Sequence, residues 1–192
     1  MRIVDLSMPI GPHFRWGPEV QVKGDIGAGD PFRVTRLSTT CHGFTHVDAM
    51  AHFVAAAPTI EATPLDRVVG PCRILDLRDA APNEAIGPER LAAADLGGPE
   101  GEILLLSAGW DRQSRPPSPS TSRRTTPSGS SSTASWRRET STSRMWCCSI
   151  EYLVNTSALA GPRTILCAAP LKIPTADGAP ARAFAIEGLA TG

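Results

Sequence analysis

Apolar and polar positions alternate along much of this chain in short runs, the period of half-buried strands. Ile3 to Leu6 reads as a first strand, Val20 to Lys23 as a second and Arg33 to Thr39 as a third. Gly27, Gly29, Asp30 and Pro31 mark the turn between the last two. Cys72 to Leu77 predicts a further strand. Glu102 to Ser107 is almost unbroken in its apolar character, as in a strand covered on both faces. Thr164 to Cys167 and Ala181 to Ile186 complete the set. One helix is predicted over Pro88 to Leu96, with proline at its first position, where the missing N–H costs nothing. Strands outnumber helices and no βαβ rhythm appears. The pattern therefore predicts a mixed α/β domain of the α+β kind rather than a doubly wound sheet, without internal repeats.

The pattern breaks off over residues 113–149. Serine, threonine, arginine and proline dominate there and aliphatic side chains almost vanish. Such a composition buries too little apolar surface to offset its ordering entropy, and so long a structureless stretch is foreign to a small domain. Two readings stay open: a natural disordered insert, or a reading-frame error in GC-rich codons. Outside this segment the chain, 192 residues in all, reads as one domain.

The formal net charge is zero, which gives no electrostatic case for nucleic acid or an acidic membrane surface. No apolar run reaches the ~18–20 residues of a membrane span. The opening Met1-Arg-Ile-Val-Asp-Leu-Ser7 lacks the apolar centre of a signal peptide, so a cytoplasmic location is expected. The five cysteines are odd in number and contain no CxxC, so no disulfide framework is expected. Cys41 abuts the histidine run described next and reads as a small buried hydrophobe or a neighbour of that site.

The chemistry concentrates in one run. Three of the four histidines lie within His42-Gly-Phe-Thr-His46-Val-Asp48-Ala-Met-Ala-His52, spaced H-x3-H-x-D-x3-H. No helical apolar period explains it as a core face. Imidazole and carboxylate are donors for zinc, manganese or iron, and three clustered ligands leave open positions for water and substrate. A solvated polar loop is the alternative. The run follows the third predicted strand, so the ligands are expected on a loop at a strand end.

Several stretches resemble the metal-dependent cyclase/hydrolase family that includes bacterial kynurenine formamidase and isatin hydrolase. The family pattern HxGTHxDxPxHF is matched by His42 to Phe53, with Phe44 where the family has glycine and Met50 where it has proline. Asp5-Leu-Ser7-Met-Pro-Ile10, Leu106-Ser-Ala-Gly-Trp110-Asp111, Pro170-Leu-Lys-Ile173 and Ala176-Asp-Gly178-Ala-Pro180 extend the likeness over residues 1–112 and 150–190. The resemblance implies a compact swivelling β/β/α domain, assembled as a homo-oligomer. It implies zinc or manganese held by His42, His46 and Asp48, with Glu151 of Ile150-Glu-Tyr-Leu-Val-Asn155 as a further ligand. It makes His52 the proton shuttle, for which a fourth ligand or a plain polar group is the alternative. Trp16 becomes a contact for an aromatic small-molecule substrate.

The family's second metal also takes a histidine about a dozen residues before that glutamate. This chain has no histidine after His52, and the place for it falls within 113–149. Glu139 lies at the right distance but among neighbours that do not match. The first metal site is complete by this reading and the second is not.

His13 reads as a surface residue, Trp110 as packing at a strand end, and Lys172 and Asp177 as turn-forming or structural. The resemblance implies hydrolysis of a C–N bond in a formamide, amide or lactam. The alternatives are a cyclase or dehydratase acting on a polyketide-like substrate, or an inactive product of a damaged gene.

Overall fold

The computed structural model describes residues 1–81, 84–99, 101–109 and 148–189. Ten strands and one helix carry it: β1 (Arg2–Asp5), β2 (Glu19–Gly24), β3 (Val34–Ser38), β4 (His46–Asp48), β5 (Val69–Asp76), α1 (Pro88–Ala94), β6 (Ile103–Ser107), β7 (Ser149–Glu151), β8 (Arg163–Cys167), β9 (Gly178–Pro180) and β10 (Phe184–Glu187). The larger sheet has the order β1-β10-β8-β5-β6, with β5 and β6 parallel and the other neighbours antiparallel. A smaller antiparallel sheet has the order β7-β4-β9, and β2 and β3 form a ribbon of their own. This is a mixed α/β fold with several sheets and little helix, as the hydrophobic pattern predicts.

The core lies between the two larger sheets. Val47, Ile150 and Ala179 are register partners across β4, β7 and β9, and all three are fully buried. They join Val4, Cys72, Ile103, Leu105, Leu166 and Ala185 of the larger sheet in one apolar cluster. Each fully buried aliphatic side chain contributes about 1.5–3 kcal/mol, so the inner face of the small sheet is firmly held. Its outer face is free to carry polar groups.

Thr45 anchors the start of β4. Its Oγ1 accepts from the Met8 N–H and donates to the Tyr152 carbonyl, each at 2.8 Å. Its own carbonyl accepts from the Ala181 N–H at 3.0 Å. One buried residue thus ties the N-terminal loop, the end of β7 and the end of β9 to the strand that follows.

The structure departs from the sequence expectation at several elements. Residues 46–48 form a strand where a loop was expected, and residues 178–180, to which the hydrophobic pattern assigned no strand, form its partner. Strands of three residues are too short for a period to register. The helix stops at Ala94, two residues early, because Asp95 turns extended with ψ 110°. It covers the outer side of β6, with Leu91 and Ala92 facing Leu104 and Leu106 across a cavity of about 230 Å³. No described helix is long and apolar enough to cross a membrane. Trp110, Asp111, Glu139 and the segment 113–149 fall outside the described residues, apart from Cys148 and Ser149 at its end.

Replacing Thr45 with valine keeps the shape but strands the buried Met8 N–H and the partly buried Tyr152 carbonyl. Thr45→Val is expected to lower unfolding free energy by about 1–3 kcal/mol in urea titration, with an unchanged far-ultraviolet circular dichroism spectrum.

Candidate metal centre

In a strand, successive side chains point to opposite faces. With Val47 in the core, His46 and Asp48 must both emerge on the outer face of the small sheet. Both are nonetheless buried, at 1% and 2% exposure, so their charges are felt at low dielectric. His46 Nε2 lies 3.1 Å from Asp48 Oδ1. The other ring nitrogen, Nδ1, lies 2.8 Å from the Phe44 carbonyl, which can only accept. That contact keeps a proton on Nδ1 and points Nε2 at Asp48, to which it donates when the ring is protonated.

His42 arrives from the preceding turn, its Nδ1 2.7 Å from the same Asp48 Oδ1. Two features bring it there. Phe44, at the family's glycine position, takes a left-handed backbone with φ 58°. For a bulky residue this costs about 1–3 kcal/mol, offset by complete burial of its ring. Gly178, the β9 partner of Asp48, supplies the floor: a Cβ there would stand 2.6 Å from His42 Cε1. Only glycine lets the imidazole settle on the strand.

His52 sits on a short 3-10 turn, Met50–His52, and is exposed. Its ring stacks on His42 with centroids 3.8 Å apart and planes at 27°. Asp177 completes the group, with Oδ2 3.0 Å from His42 Nε2 and 3.4 Å from His52 Nδ1. Two three-residue clusters result among the described residues, His42/His46/Asp48 and His42/His52/Asp177, each with ligand atoms within 4.8 Å of one another. The sequence reading took Asp177 as structural. An acid one residue before a glycine resembles any turn, and only the β4–β9 register brings it beside the histidines.

Glu151 is the β7 partner of His46 and so shares its face. Its Oε1 accepts from Ser149 Oγ at 3.3 Å, and its carboxylate lies outside both clusters. Trp16 is near as well. Its ring meets Tyr152 edge-on at 4.7 Å and Phe44 at 5.1 Å, while Tyr152 stacks over His46 at 5.7 Å. His13, expected as a lone surface residue, stacks on Trp16 at 4.5 Å. Arg15 donates to the Tyr152 hydroxyl at 3.0 Å. An aromatic patch therefore runs from His46 out to Trp16.

The electrostatics follow the geometry. Burial alone would push His46 down, but its hydrogen bonds to Asp48 and the Phe44 carbonyl, with the Asp48 and Glu151 charges, hold it above the ordinary histidine value. Asp48 is opposed by burial yet lies below the ordinary carboxylate value because both histidines donate to it. Burial raises the Cys41 thiol and pushes Cys72 up to about 12, so neither is a thiolate nucleophile.

The residues fit a divalent cation. Two imidazole nitrogens and a carboxylate oxygen converge, and with Nδ1 held by the Phe44 carbonyl, loss of the Nε2 proton leaves a His46 lone pair aimed at the group. His42 Nε2 is buried without a hydrogen bond of normal geometry. This is the donor set of zinc and manganese sites.

The Cyclase family ("Putative cyclase") matches residues 4–146 of this chain. Among solved structures, the chain is similar to isatin hydrolase A from Labrenzia aggregata bound to benzyl benzoate, at 19% identity and TM-score 0.71, covering 96% of this chain and 93% of that one. It is similar to an isatin hydrolase bound to the product analogue thioisatinate, at 17% identity and TM-score 0.70, covering 95% and 91%. It is also similar to a "predicted metal-dependent hydrolase" from Bacillus stearothermophilus, at 21% identity and TM-score 0.65, covering 96% and 97%. At these identities the likeness establishes the fold.

The pKa shifts set a pH dependence. The raised His46 value gives stability that is complete below the ordinary 6.5 and lost as pH rises through the folded value. The lowered Asp48 value gives stability present above 3.8 and lost as pH falls through the folded value. Metal-free protein is therefore expected to melt highest at mildly acidic pH. Zinc or manganese affinity should instead rise with pH, about tenfold per unit for each proton displaced. Calorimetric melting from pH 3 to 8 checks both limbs of the stability, and metal titration from pH 5 to 8 checks the affinity.

Proposed function

Since the chain belongs to the Cyclase family, we propose that it is a metal-dependent hydrolase that cleaves the C–N bond of an aromatic formamide, amide or lactam. The convergence of His42 Nδ1 and His46 Nε2 on one buried Asp48 oxygen carries this reading. His42, His46 and Asp48 would hold the cation, and Glu151, on the same sheet face, would complete the set. The donors suit zinc or manganese. A divalent cation held there supplies Lewis acidity, which acidifies water and polarises a carbonyl oxygen.

The chain's own groups do the rest. His52 stands exposed at the lip of the cluster, beside His42 and outside the buried pair, where it can take a proton from water and return it to a leaving nitrogen. Trp16 and Tyr152, packed on the buried Phe44, offer aromatic faces next to His46, which supports a flat aromatic substrate and a binding role for Trp16. The printed names of the isatin hydrolases point the same way.

The β2–β3 ribbon supports the homo-oligomer. Val20 and Leu37 are register partners, Val22 shares their face, and all three are exposed. An isolated two-stranded ribbon is marginal in water, and a second copy would cover that face.

Hydrolysis of N-formylkynurenine and of isatin, followed by absorbance on metal-loaded protein, tests the reaction class. His52→Ala is expected to bind metal as the wild type does and to lose about 10²–10⁴-fold in kcat. A variant that binds no metal, or turns over normally, contradicts the proton-transfer role.

A further inference from the structure

A histidine ligand must offer a lone pair on one nitrogen and carry its proton on the other. Whatever accepts that second proton decides the tautomer and the ring's orientation. For His46 the acceptor is the Phe44 carbonyl. For His42 the nitrogen facing Asp48 is Nδ1, so a cation there obliges Nε2 to carry the proton. Nε2 is buried and makes no hydrogen bond of normal geometry, and the carboxylate oxygen nearest to it is Asp177 Oδ2 at 3.0 Å.

Asp177 is well placed to adjust. Its backbone is pinned, because the Ala49 N–H donates to its carbonyl at 2.9 Å as the chain leaves β4. Gly178, the next residue, is the floor on which the His42 ring rests. Its carboxylate is half exposed, at 51%, and can rotate without disturbing the core. The same oxygen lies 3.4 Å from His52 Nδ1, and the His52 ring is stacked on His42. One carboxylate therefore faces both rings, meeting His42 at the nitrogen that does not face Asp48.

We propose that Asp177 is a positioning residue of the metal centre: its carboxylate accepts the Nε2 proton of His42, so that Nδ1 presents its lone pair to the cation, and it holds His52 alongside. The inference rests on the metal-centre reading and adds the residue that orients it. It also explains why an acid precedes Gly178, since the two residues together fix both the place and the tautomer of His42.

The test is titration of the metal-free full chain with Zn²⁺ alone, with Co²⁺ as a spectroscopic probe, on wild type, Asp177→Ala, Asp177→Asn and Asp177→Glu. No substrate enters the measurement. Asp177→Ala should bind the same number of equivalents with about 10–100-fold weaker affinity. Its metal-free melting temperature should be unchanged. Asparagine keeps an acceptor without the charge and should fall between the two, and glutamate should recover part of the loss.

Wild-type affinity in Asp177→Ala overturns the proposal. So does a loss of affinity that tracks a fall in metal-free melting temperature, which marks a structural role. Loss of a whole metal equivalent also overturns it, since Asp177 would then be a ligand. If the wild type itself binds no metal, the metal-centre reading fails. If the wild type binds and Asp177→Ala binds equally well, only the positioning role fails.

Discussion

The structure turns on one three-residue alternation. In β4, Val47 faces inward and His46 and Asp48 face outward. The inward residue locks into Ile150 and Ala179 on the neighbouring strands, so the strand has no freedom to slip. A shift of one position would send a histidine and an aspartate into the apolar core and expel a valine. Burial of Val47 therefore fixes the placement of the two residues it does not resemble. The site is the reverse side of the core, and its geometry inherits the rigidity of core packing.

The rest of the site is arranged at some energetic cost. Two charged groups are buried, and they persist because each is paired: Asp48 receives both histidines, and His46 also donates to a backbone carbonyl. Phe44, just before β4, and Tyr152, just after β7, take left-handed backbone conformations that aromatic residues rarely adopt. Surrounding contacts hold both, with the Phe44 ring buried and Tyr152 bound to Arg15 and stacked on His46. Strain of this kind survives where the surroundings over-determine it, and such places are commonly functional. In this chain it sits at the end of the β4–β7 ladder where the histidine and the glutamate share one register pair.

Much of this was legible in the sequence. The alternating runs gave the longer strands to within a few residues, and the proline at position 88 marked the helix start. The histidine spacing located the cluster, and Phe44, at the family's glycine position, has the positive φ that glycine suits. What stayed hidden depends on register. β4 and β9 are three residues each, too short for a period, so the ligands seemed to belong to a loop. Asp177 read as turn-forming or structural because nothing in the linear pattern says that its neighbour Gly178 pairs with Asp48. His13 looked solitary because its partner, Trp16, gains meaning only when both fold against Phe44. The matching of residues 4–146 to the Cyclase family agrees with the part of the likeness carried by the histidine motif.

The central claim is that the outer face of β4 is a metal centre. The most direct measurement is the metal content of the protein after dialysis against zinc or manganese, for the wild type and for a His46→Ala/Asp48→Ala double variant. The account predicts at least one tightly held equivalent in the wild type and none in the variant, with both proteins folded. A wild type that retains no metal, or a folded variant that retains as much as the wild type, would contradict it.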